Sequence, residues 1–201
     1  MRVGVFKRIG SFLLDAIPLF FILSLLFTFL VGDLLKPNNY DALMSELEVI
    51  QERYNDLIEP YKTQYEDDII TEAEYTVYVD DIRNDYLDET SEHLEANLSY
   101  IIRTVIYYVV AFILTYYIYN VVTKGNTIGR QMMKIELQGK INWWTLLLRE
   151  VFWKPVYWVL TLGIGGIILD IAMITFSNRK QAPRDIVSGI TVQHQGVNYP
   201  F

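Results

Sequence analysis

Residues 12–31 form an apolar run of twenty residues that contains one carboxylate, Asp15. As a helix rising roughly 1.5 Å per residue, this run is about 30 Å long, which matches the hydrocarbon thickness of a bilayer. The sequence therefore predicts an integral membrane protein. A charge at this depth costs at least ~2.5 kcal/mol unless a partner or water solvates it, so Asp15 is the first candidate for a functional residue.

Charge is strongly segregated along the 201-residue chain. Residues 33–99 hold nineteen acidic and four basic residues, a net charge of −15, and the remainder holds five acidic and thirteen basic residues, a net charge of +8. We therefore expect an acidic block of soluble helices within a basic membrane protein. The absence of cysteine excludes disulfides, and two histidines far apart in sequence do not suggest a metal site, so we expect no metal and no cofactor.

Two further apolar regions follow the acidic block. Residues 100–122 form a second span, with tyrosines at both ends that are typical of the membrane interface. Residues 143–176 are too long for one upright span, and the glycines at 163, 165 and 166 predict a break. We expect this region to form a bent hairpin, or a surface helix with a re-entrant pair; the alternative is a single crossing that leaves the tail outside.

The basic residues predict the orientation in the membrane. They cluster at the N-terminus, in residues 123–154 and in the tail, and the positive-inside rule places all three regions in the cytoplasm. We therefore predict a multi-pass protein of the cell membrane with both termini cytoplasmic and residues 33–99 outside. Anionic lipid on the inner face is the expected partner of this basic layer, because the chain has no nucleic-acid-binding motif.

The acidic block has the periodicity of a helical hairpin. Apolar and aromatic residues recur at steps of three and four on each side of residues 67–71, Pro60 is expected to kink the first helix, and Thr71 with Glu74 has capping-box spacing. Residues 133–138 alternate apolar and polar, residues 189–193 are also strand-like, and we expect these two short segments to pair.

These patterns predict an all-α membrane protein with a small cytoplasmic β-strand pair. The expected segments are the first transmembrane helix (1–32), an acidic extracytoplasmic helical hairpin (33–99), the second transmembrane helix (100–122), a cytoplasmic turn and strand (123–142), interfacial and broken hydrophobic helices (143–176) and a cytoplasmic tail (177–201).

Asp15 has two interpretations. Arg8 lies seven residues earlier, so both side chains project from nearly the same face of a helix. In the first interpretation Asp15 is a proton or cation site with Arg8 at its entrance. In the second it is a strut that ties the first helix to its neighbours, with Arg149 or Arg184 as its partner.

Asp170 follows the glycine-rich segment, where transporters with broken helices hold ions; the alternative is that it faces lipid headgroups. The chain contains no nucleophile elbow, zinc-protease, P-loop or dinucleotide motif, so we do not expect an enzyme.

Three segments together resemble the RDD family of bacterial membrane proteins, which is named for one arginine and two aspartates. They are residues 6–15 (FKRIGSFLLD), residues 125–135 (GNTIGRQMMKI) and residues 184–189 (RDIVSG). The resemblance implies that Arg8, Asp15 and Asp185 are the defining trio. We add Asp170 to this trio as a candidate polar site, and the candidate motif residues are Asn126, Thr127, Gly129, Arg130, Arg149 and Gly189.

The resemblance also implies an inner-membrane protein with no established enzyme activity that takes part in transport. Our first hypothesis is therefore transport of ions or small solutes, with proton or cation coupling through Asp15. Because two or three spans of one chain enclose little space, we expect the transport pathway to form in a homo-oligomer. The second is a non-enzymatic regulatory or binding subunit that docks on another membrane protein through its acidic hairpin or its basic inner layer.

Overall fold

The computed structural model describes residues 3–153, 164–176 and 181–196. This part of the chain is mainly helical and contains one two-stranded sheet. Two compact units are present: a terminal unit formed by Met1–Phe29 and Tyr108–Phe201, and an acidic unit formed by Leu30–Tyr107.

Two helical segments of the described chain are long and apolar enough to cross a membrane, as predicted. The first comprises α1 (Val5–Leu26), a π-helical turn (Phe27–Val31) and α2 (Gly32–Leu35); the second is α5 (Ser91–Val122). Most of their apolar side chains are exposed, including Phe21 at 64% and Ile118 at 57%. Apolar surface on this scale needs lipid or a partner to cover it, which is the expected property of membrane-spanning helices.

In the acidic unit, α3 (Tyr40–Glu66) and α4 (Glu72–Glu89) pack against each other in opposite directions. Their contact includes three tyrosine pairs, in which residues 54, 61 and 65 meet residues 86, 78 and 75, respectively. The Thr71 hydroxyl accepts from the Glu74 backbone N–H while the Glu74 carboxylate accepts from the Thr71 N–H, which confirms the predicted capping box. Pro60 lies within the continuous helix α3.

The terminal unit contains the only sheet of the described chain. Strands β1 (Ile135–Gln138) and β2 (Thr191–His194) are antiparallel, with Ile135 opposite His194, which confirms the predicted pairing. Two strands alone are marginal in water, so they need apolar support. A small buried cluster provides it: Val3, Ile135, Leu137, Leu146, Ile190 and Val192.

Short helices complete the terminal unit. They are α6 (Ile128–Met132), α7 (Trp143–Leu147), which continues as a π-helical turn (Leu148–Trp153), α8 (Ile164–Phe176) and α9 (Pro183–Ser188). Residues 165 and 166 lie in the first turn of α8, and residues 154–163 lie outside the described chain, so the predicted break near these glycines stays a prediction. A glycine costs a helix only about 1 kcal/mol relative to alanine, and an apolar helix tolerates it. Gly163 lies outside the described residues.

Candidate functional site

Asp185 is the centre of a buried group of charges in the terminal unit. Its Oδ1 accepts hydrogen bonds from Arg149 Nε at 3.0 Å and Nη2 at 2.9 Å, and its Oδ2 accepts from Arg8 Nη1 at 2.5 Å. Oδ2 also accepts from the backbone N–H of Ala182 at 3.3 Å. The Asp185 side chain is fully buried, so these donors replace the water that the carboxylate loses.

Local sequence explains how Asp185 is positioned. Pro183 opens α9, where its fixed φ suits a first helical turn, and Asp185 is two residues further on, where its side chain can reach back to the Ala182 N–H. Gly189 ends the helix with a φ of 65°, in the left-handed region that favours glycine. Pro183 at the start and Gly189 at the end therefore set the position of this short helix and of Asp185, its only carboxylate.

The charges continue from Asp185 through Arg149 to a second carboxylate. Arg149 Nη1 lies 3.1 Å from Glu150 Oε1, and Arg130 Nη2 lies 3.5 Å from the same oxygen. Arg130 also donates to Asn120 Oδ1 at 2.7 Å and to the Gly125 carbonyl at 2.6 Å. Positive and negative side chains alternate along this buried network, and their mutual attraction offsets part of the free-energy cost of removing each charge from water.

The arginines keep Asp185 ionised. Burial alone would raise the pKa of Asp185, but the positive charges of Arg149, Arg8 and Arg184 outweigh burial and lower the pKa below its ordinary value of 3.8. Burial likewise opposes the charge of Arg149, yet Asp185 and Glu150 raise the pKa of its guanidinium. Both groups are therefore charged at neutral pH.

The described hydrogen-bond partners of Asp15 are uncharged groups, and its carboxylate also interacts electrostatically with Arg130. Its Oδ2 accepts from Thr127 Oγ1 at 2.5 Å, and its Oδ1 accepts from the Gly129 N–H at 2.7 Å and from the Tyr119 hydroxyl at 3.3 Å. The Tyr119 hydroxyl in turn accepts from the Ile128 N–H at 2.8 Å. Asp15 thus connects α1 to the start of α6 and to α5.

These contacts change the partner that the sequence suggested for Asp15. Arg149 binds Asp185 and Glu150, and Arg184 binds Asp170, so the suggestion that either arginine pairs with Asp15 is wrong. Hydroxyl and backbone N–H donors can solvate a carboxylate without a counter-charge. The defining trio is therefore divided in the structure: Arg8 contacts Asp185, while Asp15 has its own partners.

Gly129 is required by close packing beside Asp15. A Cβ at this position would collide with the backbone carbonyl oxygen of Ser11 and would lie 2.9 Å from Asp15 Oδ2. Asn126 lies in the preceding turn, where its carbonyl accepts from the Gln131 side chain at 2.9 Å. The motif residues Asn126, Thr127 and Gly129 therefore shape the loop that holds Asp15, and Arg130 belongs to the charged network.

A cavity of about 290 Å³ adjoins the charged network within the terminal unit. Six charged residues line it: Arg8, Arg130, Arg149, Arg184, Glu150 and Asp170. Arg184 Nη1 lies 3.0 Å from Asp170 Oδ2, so Asp170 has a partner that neither interpretation of this residue named. The rest of the wall is mainly apolar and comes from α1 and α8, with Tyr116 of α5, Ile135 of β1 and Val192 of β2.

Three residues of this site were not predicted. The sequence analysis assigns no role to Glu150, and it includes Asn120 and Tyr119 only as part of the second predicted span. The signal for Glu150 was its position directly after Arg149 in an apolar stretch, where a carboxylate needs a partner. Asn120 and Tyr119 carried no such signal, because polar residues are common near the end of a span.

The three segments that resemble the RDD family contribute Arg8, Asp15, Thr127, Gly129, Arg130 and Asp185 to the two polar sites. Other members of the sites, such as Arg149, Glu150 and Tyr119, lie outside these segments. A family model described as "RDD family" matches residues 2–189. No match was found among the curated proteins or the solved structures. Because the family match covers most of the chain and the two long helices are exposed and apolar, this integral membrane protein belongs to the RDD family.

Proposed function

We propose that this protein moves ions or small solutes across the cell membrane, and that the charged cavity of the terminal unit is the solute site. The observation that carries the proposal is the set of four arginines and two carboxylates around a 290 Å³ cavity whose wall includes part of α1. Ionisable groups next to a membrane-spanning helix are costly and usually mark a pathway for ions or solutes.

In this proposal Asp15 couples proton or cation movement to the solute site. All its described partners donate to the carboxylate, and a protonated carboxyl group is a weaker acceptor, so adding a proton should weaken these hydrogen bonds. The Gly129 N–H and the Thr127 hydroxyl belong to the loop and helix α6 that also position Arg130. Protonation of Asp15 would therefore loosen α6 and disturb the arginine network, which gives a route from Asp15 to the cavity.

The assembly that fits this proposal is a multi-pass homo-oligomer with both termini in the cytoplasm. Two candidate spans in the described chain enclose little space, so several copies are needed to form a pathway. The basic residues favour the cytoplasmic side for the termini. We also propose that the protein is not an enzyme, because the charged side chains of the site are engaged with one another rather than arranged as a nucleophile and base.

Flux measurements in everted vesicles test the proposal. Wild-type vesicles should show flux of a solute or a common cation, and Asp15→Asn should abolish it at unchanged protein amount. Asp33→Asn is the matched control, because Asp33 is a carboxylate of the same membrane-spanning segment whose side chain is 90% exposed. The proposal fails if wild-type vesicles show no flux, or if Asp15→Asn behaves like the control.

A binding or regulatory subunit is the second candidate function. The acidic unit favours it, because exposed apolar side chains such as Val49 (67%), Ile69 (68%) and Val77 (62%) lie on its surface among acidic residues. Such a surface suits a basic partner with an apolar patch. The basic residues of the terminal unit are the alternative docking surface.

Deletion of residues 38–97 separates the two functions. A transporter whose site lies in the terminal unit should keep its flux without these residues. A regulatory subunit that docks through the acidic unit should lose a co-purifying membrane protein, with no flux in either form. Insertion of the shortened protein in the membrane is the control for both outcomes.

A further inference from the structure

We infer that the cavity of the terminal unit binds an anionic amphiphile, whose phosphate or phosphate-like head contacts the arginines and whose apolar body contacts α1 and α8. The inference rests on the proposed solute site and names the chemical class of its ligand. Four guanidinium groups face this cavity, and guanidinium is the side chain best suited to phosphate because its N–H donors match the oxygens in pairs.

The charge balance around the cavity favours an anion. Among the described residues, four arginines and two carboxylates form the charged part of its wall, and Asp185 adds a third carboxylate behind Arg8 and Arg149. The residues outside the described ranges include Lys154, Arg179 and Lys180 and contain no aspartate or glutamate. Their side chains therefore add no carboxylate to the terminal unit.

Arg184 is the arginine best placed to exchange partners. Its side chain is 21% exposed, against 7% or less for Arg8, Arg130 and Arg149, and its contact in the described chain is through Nη1 to Asp170. A guanidinium has five N–H donors, and among the described residues the ion pair with Asp170 uses Nη1, so the donors on Nε and Nη2 can bind a ligand. Without a ligand, the ion pair with Asp170 keeps Arg184 beside the cavity.

The apolar part of the wall explains why the ligand is an amphiphile. Ile9 and Leu13 of α1 and Ile171 of α8 line the cavity and are also 41%, 46% and 39% exposed, respectively. Since α1 belongs to a candidate membrane span, the exposed side of these residues is the surface that acyl chains contact. An anionic amphiphile can therefore enter from the membrane with its head toward the arginines and its chain along this wall.

Binding to the purified full-length protein in a neutral detergent tests this inference. The probe is dodecyl phosphate, compared with inorganic phosphate, which has no chain, and with dodecyltrimethylammonium, which has the opposite charge. We expect saturable binding of dodecyl phosphate at least about tenfold tighter than binding of either comparison compound, because only dodecyl phosphate uses both parts of the wall. Equal binding of inorganic phosphate, which indicates a site for free phosphate, or of the cationic amphiphile overturns the inference.

Two variants with opposite expected effects separate ligand binding from a structural role. Arg184→Gln removes a donor and should weaken binding of dodecyl phosphate about tenfold, whereas Asp170→Asn releases Arg184 from its carboxylate and should tighten binding. A residue pair that only stabilises the fold would affect binding in the same direction in both variants. Arg83→Gln, at an exposed arginine of the acidic unit, is the control and should leave binding unchanged.

A third variant tests the apolar wall independently of the arginines. Ile171→Trp adds bulk at a partly exposed position of the cavity and should weaken binding of dodecyl phosphate with little effect on stability. Binding that is unchanged in both Ile171→Trp and Arg184→Gln overturns the inference. If dodecyl phosphate binds as expected but vesicles show no flux, the transport proposal fails and this inference stands. If vesicles show flux but dodecyl phosphate does not bind, this inference fails and the transport proposal stands.

Discussion

Arg8 and Asp185 are 177 residues apart in sequence, yet they form a buried ion pair in which Arg8 Nη1 lies 2.5 Å from Asp185 Oδ2. The pair joins the start of α1 to α9. Arg149 holds the other oxygen of the same carboxylate, so three elements of the terminal unit meet at one group. Arg8 and Asp185 therefore act together as a structural link, and Arg8 also lines the cavity.

Asp185→Asn should destabilise the terminal unit by about 3–5 kcal/mol, because it leaves the buried Arg8 and Arg149 without their shared anion. Denaturant unfolding of the purified protein in detergent measures this loss. Asp80→Asn is the matched control: Asp80 also pairs with an arginine, but its contact with Arg83 is exposed and 3.8 Å long, so we expect little change. Equal losses in the two variants would contradict the buried link.

The stability of the terminal unit should depend on pH through Asp185. Its pKa is lowered in the folded state, so ionised Asp185 stabilises the fold above its ordinary pKa of 3.8. This contribution is lost as the pH falls from about that value through the lower pKa of the folded state. Unfolding of wild type and Asp185→Asn between neutral and acidic pH tests this: the difference between them should shrink as the pH falls, and a constant difference would contradict it.

The sequence allows the elements to be predicted better than the pairing of the charges. The two spans and the strand pair follow from local patterns: long apolar runs, and the alternation in residues 133–138. The capping box at Thr71 is also local, since both partners lie within four residues. The spans, the individual strands and the cap need only neighbouring residues, and the pairing of the strands follows because they are the two strand-like segments of the sequence.

The partners of Asp15 and Asp185 depend on the three-dimensional fold. Asp15 is bound by a hydroxyl, a backbone N–H and a tyrosine, and none of these groups is marked in a sequence as a partner for a carboxylate. A search for a counter-charge therefore leads to an arginine, which the structure places on Asp185 instead.

Gly129→Ala should strongly disturb the docking of α6 on α1. The new methyl group would collide with the Ser11 carbonyl oxygen, which is backbone and cannot rotate away, and it would press on the Asp15 carboxyl group. Overpacking of this kind costs about 1–3 kcal/mol. Gly4→Ala is the control because nothing lies within 4 Å of a Cβ there. Thermal unfolding in detergent compares the two, and equal stability would contradict the close contact.

Asp15 and Thr127 should be energetically coupled. Thr127 Oγ1 donates to Asp15 Oδ2 at 2.5 Å in a buried setting, so Asp15→Asn or Thr127→Val alone leaves a polar group with a poorer partner, at a cost of about 1–3 kcal/mol. Once one partner is gone, loss of the other should cost less, and a double-mutant cycle should give a coupling energy of about 0.5–3 kcal/mol. Thr145, whose hydroxyl donates to the Lys140 carbonyl and shares no partner with Asp15, provides the control cycle with Thr145→Val. Coupling near zero in the Asp15–Thr127 cycle, or equal coupling in both cycles, would show that Asp15 does not hold α6 through this hydroxyl.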